Sequence, residues 1–281
     1  MSRPLAISPK IARKIANLLN RKRDGQLDLS FTDAGHGYDI FGLNKDYVAF
    51  GDAIIRWIYE DYFRVKSIDN HHIPTTGAAI LACNHSGTLP IDAMMVWEDV
   101  LRNTNPNRAV RSITDHFVPS LPFFSTLFAR CGAVGGSRGN AQALLEAGEL
   151  LSIFPEGVPG ITKLYTEKYQ LQTWRKGHCA LSIRFRAPVI PVGIIGAEEQ
   201  MPTIARIPTP KPLPEIPIPI TPIPLPVRYR IIYGEPIAFH EEFSPEDADK
   251  PEIVLAAAAR VKAAVEALIA RGLEEREGVF S

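Results

Sequence analysis

The 281-residue chain lacks several features that would place it in a well-defined protein class. Its three cysteines, Cys83, Cys131 and Cys179, lie far apart and form no Cys-x-x-Cys pair, so neither a disulfide framework nor a structural zinc site is predicted. Such a chain suits a reducing compartment. Its net charge is zero, from 31 basic and 31 acidic residues, and no nucleic-acid partner is expected.

The chain also lacks a long apolar run and internal repeats. The best candidate for a membrane span, Gly177 to Gly196, is interrupted by Arg184, Arg186 and Pro188, so no helix that crosses a membrane is predicted. No cleavable signal peptide is recognised. Hydrophobic residues nevertheless make up 46% of the chain, which is enough to bury a sizeable core in one large or two small domains.

Positive charge is concentrated at the N-terminus, where residues 1–23 contain seven basic side chains and no acid. Ser8 and Pro9 suit the start of a helix that continues to Arg23. Its apolar residues at helical spacing are Ile11, Ile15, Leu18 and Leu19. Such a helix can lie in a membrane interface, where each Lys or Arg beside an anionic leaflet contributes about 1 kcal/mol. Alternatively, it packs on the domain with a solvated basic face.

Strands and helices alternate after a second predicted helix at Tyr47 to Phe63. The run Ala78 to Cys83 is continuously apolar, which is typical of a strand covered on both faces. The mostly apolar segments Leu150 to Phe154 and Val189 to Ile195 are predicted to be further strands. The pattern predicts an α/β fold: a mixed, largely parallel sheet flanked by helices and preceded by an N-terminal amphipathic helical pair. We expect residues 1–64 to hold the membrane-docking helices and a linker, and residues 65–281 to form the α/β domain.

Proline is concentrated in one segment, with nine of the 24 prolines between Pro208 and Pro226 in alternation with Ile and Leu. Because proline has no backbone N–H and a restricted backbone, the segment is predicted to be neither a helix nor a central strand. We expect an extended excursion over residues 207–226. It is either a rigid surface connection or an apolar edge that touches lipid.

Polar side chains follow the predicted strands, where α/β proteins place their sites. His85 follows the first apolar strand, and Asp92 comes seven residues later in the first turn of a predicted helix. An aspartate can accept a hydrogen bond from one imidazole nitrogen and stabilise the imidazolium that forms when the other nitrogen takes a proton. Such a pair suits activation of a substrate hydroxyl, although a plain structural pair is also possible.

A carboxylate stands at the tip of a second strand, in the Phe-Pro-Glu-Gly segment that contains Glu156. Its burial requires a cation or hydrogen-bond donors, and Lys163 is one of several basic residues that follow. The alternative is a turn that simply ends the strand.

The segment Gly135 to Gly139 matches the Gly-x-Ser-x-Gly elbow of serine hydrolases, with Ser137 as the nucleophile. The histidines available after this serine are His178 and His240, and neither lies in a loop of catalytic character. The alternative is a turn whose backbone N–H groups and Arg138 face an anionic group.

In this order, the segments resemble the lysophospholipid and glycerol-phosphate acyltransferase superfamily, within it a bacterial branch related to diacylglycerol-acyltransferase-like proteins. The resemblance spans about Val65 to Pro236. Two features differ: six residues instead of four separate His85 from Asp92, and no Arg or Ser follows the Glu-Gly pair, so Lys163 is the nearest basic residue. The matching blocks are Asn-His…Asp at 84–92, Gly-Ser-Arg at 136–138, Phe-Pro-Glu-Gly at 154–157 and Val-Ile-Pro-Val at 189–192.

The resemblance implies acyl transfer from acyl-CoA or acyl carrier protein to a glycerolipid hydroxyl, on a lysophospholipid, glycerol phosphate or diacylglycerol. His85 would be the general base and Asp92 its orienting partner, with no cofactor and no metal. The protein would be peripheral or monotopic, on the cytoplasmic face of a membrane with an anionic surface. The substrate-binding residues implied are Gly87, Ser137, Arg138, Glu156, Gly157 and Lys163. Two alternatives stay open: a serine esterase or lipase that uses Ser137, and a non-catalytic lipid-binding relative.

Overall fold

The structure is a computed structural model that describes residues 7–19, 27–87, 89–115, 118, 124–210 and 215–281. In these residues the α-helices are α1 (Pro9–Leu19), α2 (Lys45–Trp57), α3 (Ile91–Asn103), α4 (Phe124–Arg130), α5 (Arg138–Glu146), α6 (Val158–Ile161), α7 (Gly177–Phe185), α8 (Ala197–Gln200), α9 (Phe239–Glu242) and α10 (Pro251–Glu274). The strands are β1 (Lys66–Ile68), β2 (Ala79–Cys83), β3 (Arg111–Thr114), β4 (Val134–Gly135), β5 (Leu150–Ile153), β6 (Val189–Ile195), β7 (Thr203–Ile207), β8 (Ile216–Pro219) and β9 (Arg230–Tyr233). A π-helical turn, Ile58–Tyr62, extends α2, and 3-10 turns lie at Asn70–His72, Tyr165–Glu167 and Pro245–Asp249.

Seven strands form the central sheet in the order β1-β9-β6-β2-β5-β3-β4. The five strands from β6 to β4 are mutually parallel, whereas β9 runs antiparallel to β6 and pairs in parallel with β1. Every residue of β2 and β6 is buried, as the apolar runs indicate. The predicted α/β fold with a mixed, largely parallel sheet is confirmed.

Helices cover both faces of this sheet because successive side chains of a strand point to opposite sides. Leu81 of β2 belongs to a hydrophobic core shared with Val48 of α2 and Val96 of α3. Its neighbour Ile80 belongs to a second core, shared with side chains of α5, α7 and α10 such as Ile183. Helices α2 and α3 therefore lie on one face, and α5, α7 and α10 lie on the other.

The N-terminal helices α1 and α2 pack against each other through a face of α1 other than its stripe of large apolar residues. Ala12 and Ala16 are buried beside Tyr47 and Phe50. Three residues of the predicted apolar stripe are exposed instead, namely Ile11, Leu18 and Leu19. Small side chains let the two helices approach closely, so the larger ones remain on the outside. The predicted extension of the helix to Arg23 lies outside the described residues.

The described part of the proline-rich segment is extended. It takes part in antiparallel strand pairing, which its proline content alone did not predict. Strands β7 and β8 form a separate two-stranded antiparallel sheet, which contains the start of the predicted excursion. The exposed large side chains of this sheet and of the residues that follow β8 are Ile204, Ile207, Ile216, Ile220 and Ile223. Among the described helices, none has the length and hydrophobicity needed to cross a membrane.

Candidate active site

Three parallel strands bring the chemically active segments to one edge of the sheet. His85 follows β2, Glu156 follows β5 and Glu198 follows β6, and these strands are direct neighbours. Because their carboxyl ends lie at the same edge, residues far apart in the sequence meet there. The order of the strands thus assembles the candidate site.

The structure places His85 in direct contact with Asp92. The ring Nδ1 of His85 lies 2.6 Å from Oδ2 of Asp92, and the backbone N–H of Ser86 donates to the same oxygen at 3.0 Å. Asp92 is fully buried in the first turn of α3. Gly87, which lies between the two residues in the sequence, has a φ of +88°, a conformation that favours glycine. Thr88, the next residue, lies outside the described residues.

The contact with Asp92 determines which nitrogen of His85 carries the proton. A carboxylate accepts hydrogen bonds, so Nδ1 donates to Asp92 and Nε2 retains the lone pair that can take a proton. The His85 side chain is 16% exposed, and the ring of Phe154 packs beside it with centroids 4.4 Å apart. This arrangement can act as a general base toward a group in the adjoining cavity.

Glu156 holds the loop that carries His85. Its Oε1 accepts the backbone N–H of His85 at 2.9 Å, and its Oε2 accepts the backbone N–H of Gln172 at 2.8 Å. The side chain has almost no exposed surface. The predicted contact between Glu156 and an acceptor is therefore corrected: the chain itself occupies both oxygens, and Glu156 is a positioning residue.

Lys163 also has a different position from the predicted one. Its Nζ lies 2.8 Å from Glu198 Oε1 and 3.4 Å from Glu156 Oε2, and its side chain is 3% exposed. Burial raises the pKa of Glu198, and the charge of Lys163 opposes that rise. Lys163 thus compensates two buried carboxylates beneath the site, and this burial excludes the predicted direct contact with an acceptor.

Gly160 is a site residue that the sequence interpretation missed. A Cβ at this position would stand 2.9 Å from Glu156 Cβ and 3.0 Å from His85 Cβ, too close for a larger residue. Residues 158–160 have the sequence Val-Pro-Gly, at the place after the Glu-Gly pair where the family usually has an Arg or Ser. They lie in the short helix α6, which packs directly against the His85 loop. Only the close approach of the two segments reveals this role.

A cation lies beside Gly157 although none follows it directly in the sequence. Gly157 has a φ of +57°, and a Cβ on it would stand 3.0 Å from the guanidinium carbon of Arg175. Arg175 is mostly exposed and lies 3.7 Å from Asp115. The structure thus supplies from a later loop the positive charge that the sequence lacks after the Glu-Gly pair.

Ser137 caps helix α5. Its Oγ accepts the backbone N–H of Asn140 at 3.0 Å, which is the usual contact of an N-cap serine. His178 Nδ1 is bonded to the backbone oxygen of Arg175, and no hydrogen bond between a histidine and Ser137 is found in the described part of the chain. This geometry does not support Ser137 as an activated nucleophile. Arg138 begins the same helix and is exposed at the rim of the cavity.

A cavity of about 700 Å³ lies at the carboxyl edge of the sheet, and helices from both faces of the sheet contribute to its lining. At the edge itself it contacts His85, Gly87, Ser137, Arg138, Gly157 and Arg175. The α2–α4 lobe, on one face, is lined by Phe50, Gly51, Ile54, Ile55, Ala93, Met94, Trp97, Leu127, Phe128 and Cys131. The α5–α7 lobe, on the other face, is lined by Ala141, Gln142, His178, Ala180, Leu181, Arg184, Phe185, Ala248 and Asp249.

The two lobes differ in charge. None of the described residues that line the α2–α4 lobe is ionisable except Cys131, whose pKa burial raises to about 12. The α5–α7 lobe contains Arg184, Asp249 and His178. Among the described residues, no cluster of His, Cys, Asp or Glu is arranged to hold a metal ion.

The fold and the site together are those of an acyltransferase. Residues 64–195 match the family Acyltransferase. The fold is similar to the crystal structure of the 1-acyl-sn-glycerophosphate (LPA) acyltransferase PlsC from Thermotoga maritima, with a TM-score of 0.54 and 18% identity. That match covers 83% of this chain and 80% of PlsC, and at this identity it establishes the fold alone.

The chain is also similar in sequence to other proteins. The chain is 30% identical over 258 residues to uncharacterized protein Rv0502 of Mycobacterium tuberculosis, covering 87% of this chain and 72% of that protein. It is 29% identical over 159 residues to the bovine DGAT1/2-independent enzyme synthesizing storage lipids, covering 56% of this chain and 38% of that enzyme. The chain therefore belongs to the lysophospholipid and glycerol-phosphate acyltransferase superfamily, as its sequence blocks predicted.

Proposed function

We propose that this protein transfers a fatty acyl group from acyl-CoA or acyl carrier protein to a hydroxyl of a glycerolipid at a membrane surface. The observation that carries the proposal is the contact between His85 and buried Asp92 at the edge of the cavity. This pair resembles the base and orienting acid of other acyl-transfer sites, with the substrate alcohol in place of a protein nucleophile.

The proposed transfer uses this pair, nearby backbone N–H donors and the two substrates. Nε2 of His85 takes the proton of the acceptor hydroxyl as its oxygen bonds to the thioester carbonyl carbon. Asp92 stabilises the resulting imidazolium, and backbone N–H groups near Gly87 stabilise the tetrahedral oxyanion. When the C–S bond breaks, the proton passes from Nε2 to the departing sulfur. The products are an ester and a free thiol, and His85 returns to its starting state.

The α2–α4 lobe suits the fatty acyl chain. Its lining is apolar and aromatic, and burial of each methylene group contributes about 0.8 kcal/mol. Ile54 both lines this lobe and is 42% exposed, so the lobe reaches the protein surface along α2. An acyl chain in this lobe would place its carbonyl carbon beside His85.

The edge of the cavity favours an acceptor that carries a phosphate. Arg138 and Arg175 are both exposed there, on the same rim as His85. Guanidinium groups bind phosphate oxygens through paired hydrogen bonds. We therefore rank lysophospholipid and glycerol phosphate above diacylglycerol as the acceptor.

The N-terminal helices support peripheral attachment to the cytoplasmic face of a membrane. Ile11, Leu18 and Leu19 of α1 and Trp57 of α2 are exposed apolar side chains. The basic residues Lys10, Arg13 and Lys14 of α1 complement anionic lipid headgroups. Lipid acceptors would then reach the cavity without leaving the membrane surface.

The decisive experiment measures transfer of labelled acyl-CoA to each candidate acceptor by the wild type and by His85→Ala and Asp92→Asn. We expect turnover to fall by about 10²- to 10⁴-fold in both variants, because each removes general-base catalysis. His71→Ala, which changes an imidazole outside the cavity, is the matched control and should retain activity.

Full activity of His85→Ala would contradict the mechanism. Labelling of Ser137 by a fluorophosphonate would instead favour the serine esterase, and liposome binding without turnover on any donor would favour the non-catalytic relative.

A further inference from the structure

The α5–α7 lobe has no ligand in the transfer proposed above, and its chemistry differs from that of an acyl-chain site. It lies across the edge of the sheet from the α2–α4 lobe, with His85 between the two. Arg184 and Asp249 make it polar at one end. A ligand with both apolar and polar groups fits it better than a hydrocarbon chain.

His178 lines this lobe and carries a buried hydrogen-bond acceptor that has no partner among the described residues. Its Nδ1 lies 3.0 Å from the carbonyl oxygen of Arg175, which can only accept, so Nδ1 carries the proton and Nε2 keeps a lone pair. Burial lowers the pKa of His178 to about 4, and the ring is neutral at physiological pH. Nε2 is buried without a partner in the described part of the chain, a condition that costs about 1–3 kcal/mol. An O–H or N–H donor from a ligand would remove that cost.

Arg184 marks the outer end of the lobe. It follows His178 on α7, and the rise of an α-helix separates the two positions by about 9 Å along the axis. Arg184 is ion-paired with Asp249 at 2.5 Å, and both side chains are substantially exposed. The lobe therefore leads from the buried acceptor of His178 to a charged group in contact with solvent.

The shape of a thioester explains how one acyl donor can occupy both lobes. Its acyl chain and its thiol-bearing arm extend from opposite sides of the reacting carbonyl. With the acyl chain in the α2–α4 lobe and the carbonyl at His85, the arm continues to the other face of the sheet. We propose that the α5–α7 lobe binds the pantetheine arm of the acyl donor, with His178 Nε2 accepting an amide N–H or hydroxyl and Arg184 lying beside the terminal phosphate. This inference rests on the proposed transfer.

The test compares steady-state kinetics of His178→Phe and Arg184→Gln with two matched controls. His240→Phe also removes an imidazole that has a buried nitrogen without a hydrogen-bond partner among the described residues. Arg260→Gln also breaks an ion pair, the one between Arg260 and Glu242. Neither His240 nor Arg260 lines the cavity. The donors are an acyl-CoA and the corresponding acyl-N-acetylcysteamine, which keeps one amide and has no phosphate. Acyl carrier protein, which bears the same arm, is the third donor and distinguishes the two natural sources.

For His178→Phe we expect kcat/KM to fall about tenfold with every donor, with the KM for the acceptor unchanged. For Arg184→Gln the fall should be seen with the phosphate-bearing donors and not with acyl-N-acetylcysteamine. His178→Gln, whose amide oxygen can accept the same hydrogen bond, should restore part of the loss. If Arg184 had a purely structural role, Arg184→Gln would lower the melting temperature, and the fall in kcat/KM would not depend on the donor.

Two results would overturn the inference while leaving the transfer intact: unchanged donor kinetics in both variants, or a rise confined to the KM of the acceptor. Absence of wild-type turnover on every donor and acceptor would instead contradict the proposed function. In that case, binding of a non-reactive acyl-CoA thioether still tests the lobe, and equal affinity of wild type and His178→Phe would overturn it.

Discussion

The α2–α4 lobe and the α5–α7 lobe belong to one cavity but differ in chemistry because they lie on opposite faces of the sheet. The first is bounded by helices that pack on the core of Leu81, and the second by helices that pack on the core of Ile80. His85 stands at the edge where the two faces meet. The comparison shows that parallel strand ends place the reactive group, whereas the flanking helices determine what is bound on each side.

Within this comparison of the two lobes, filling the α2–α4 lobe is expected to have the largest effect on turnover. Ile54→Trp adds bulk at a partly exposed lining position, so it narrows the lobe without overpacking the core. If two methylene groups of a long acyl chain lose their burial, about 1.6 kcal/mol is lost, and kcat/KM should fall at least tenfold. Donors with short chains should be unaffected in the same acyl-transfer assay.

The control for this prediction is Ile204→Trp, which enlarges an exposed isoleucine of β7 outside the cavity. An equal loss for all chain lengths, or the same change in the control, would show that the lobe does not hold the acyl chain.

The second effect concerns stability rather than turnover and comes from Glu98, a buried acid of α3. Burial, and next the nearby Asp52, raise the pKa of Glu98 to about 8. Glu98 is therefore protonated in the folded protein between about pH 4.5 and 8, whereas it is ionised in the unfolded chain. Its contribution to the free energy of unfolding is present below that range and is lost as pH rises through it, by up to about 1.4 kcal/mol per pH unit.

Glu98→Gln removes this titration, so urea denaturation at pH 6, 7 and 8 should show a shallower loss of stability in the variant than in the wild type. Glu60→Gln, which changes a half-exposed partner of Arg102, is the control. Parallel stability profiles for wild type and Glu98→Gln would refute the assignment.

The smallest effect concerns Ser137, beside the α5–α7 lobe. Ser137→Ala should lower the free energy of unfolding by about 1 kcal/mol, because the Asn140 N–H loses its cap. Ser137→Asn should restore the cap, and acyl transfer should persist in both variants. Thermal denaturation together with the transfer assay measures these effects. Abolished turnover in both variants, with the fold intact, would restore the serine hydrolase hypothesis.

Local patterns in the sequence were sufficient for the central strands and for the segments that follow them. Mostly apolar runs predicted β2, β5 and β6 because a strand covered on both faces needs apolar residues at most positions. The α1 stripe shows where such patterns are insufficient. Its periodicity was compatible with two faces, and the close packing of Ala12 and Ala16 against α2 determined which one was buried.

In the candidate site, too, some features could be predicted from the sequence and others depended on the tertiary structure. The residue types and order of His85, Asp92 and Glu156 are readable in the sequence, since a histidine and carboxylates at strand ends suit acyl transfer. That Glu156 holds the His85 loop, and that Lys163 joins it to Glu198, depends on segments from three strands meeting at one edge.

By itself the sequence predicted the fold class and the family, and it identified a histidine and an aspartate that can pair, because these depend on short-range patterns, on the order of the motifs and on residue chemistry. The tertiary structure decided which charges are buried as pairs, which glycines permit close approach and which two lobes the cavity has. Those properties arise from contacts between distant segments, and no local pattern specifies the partner of a buried group.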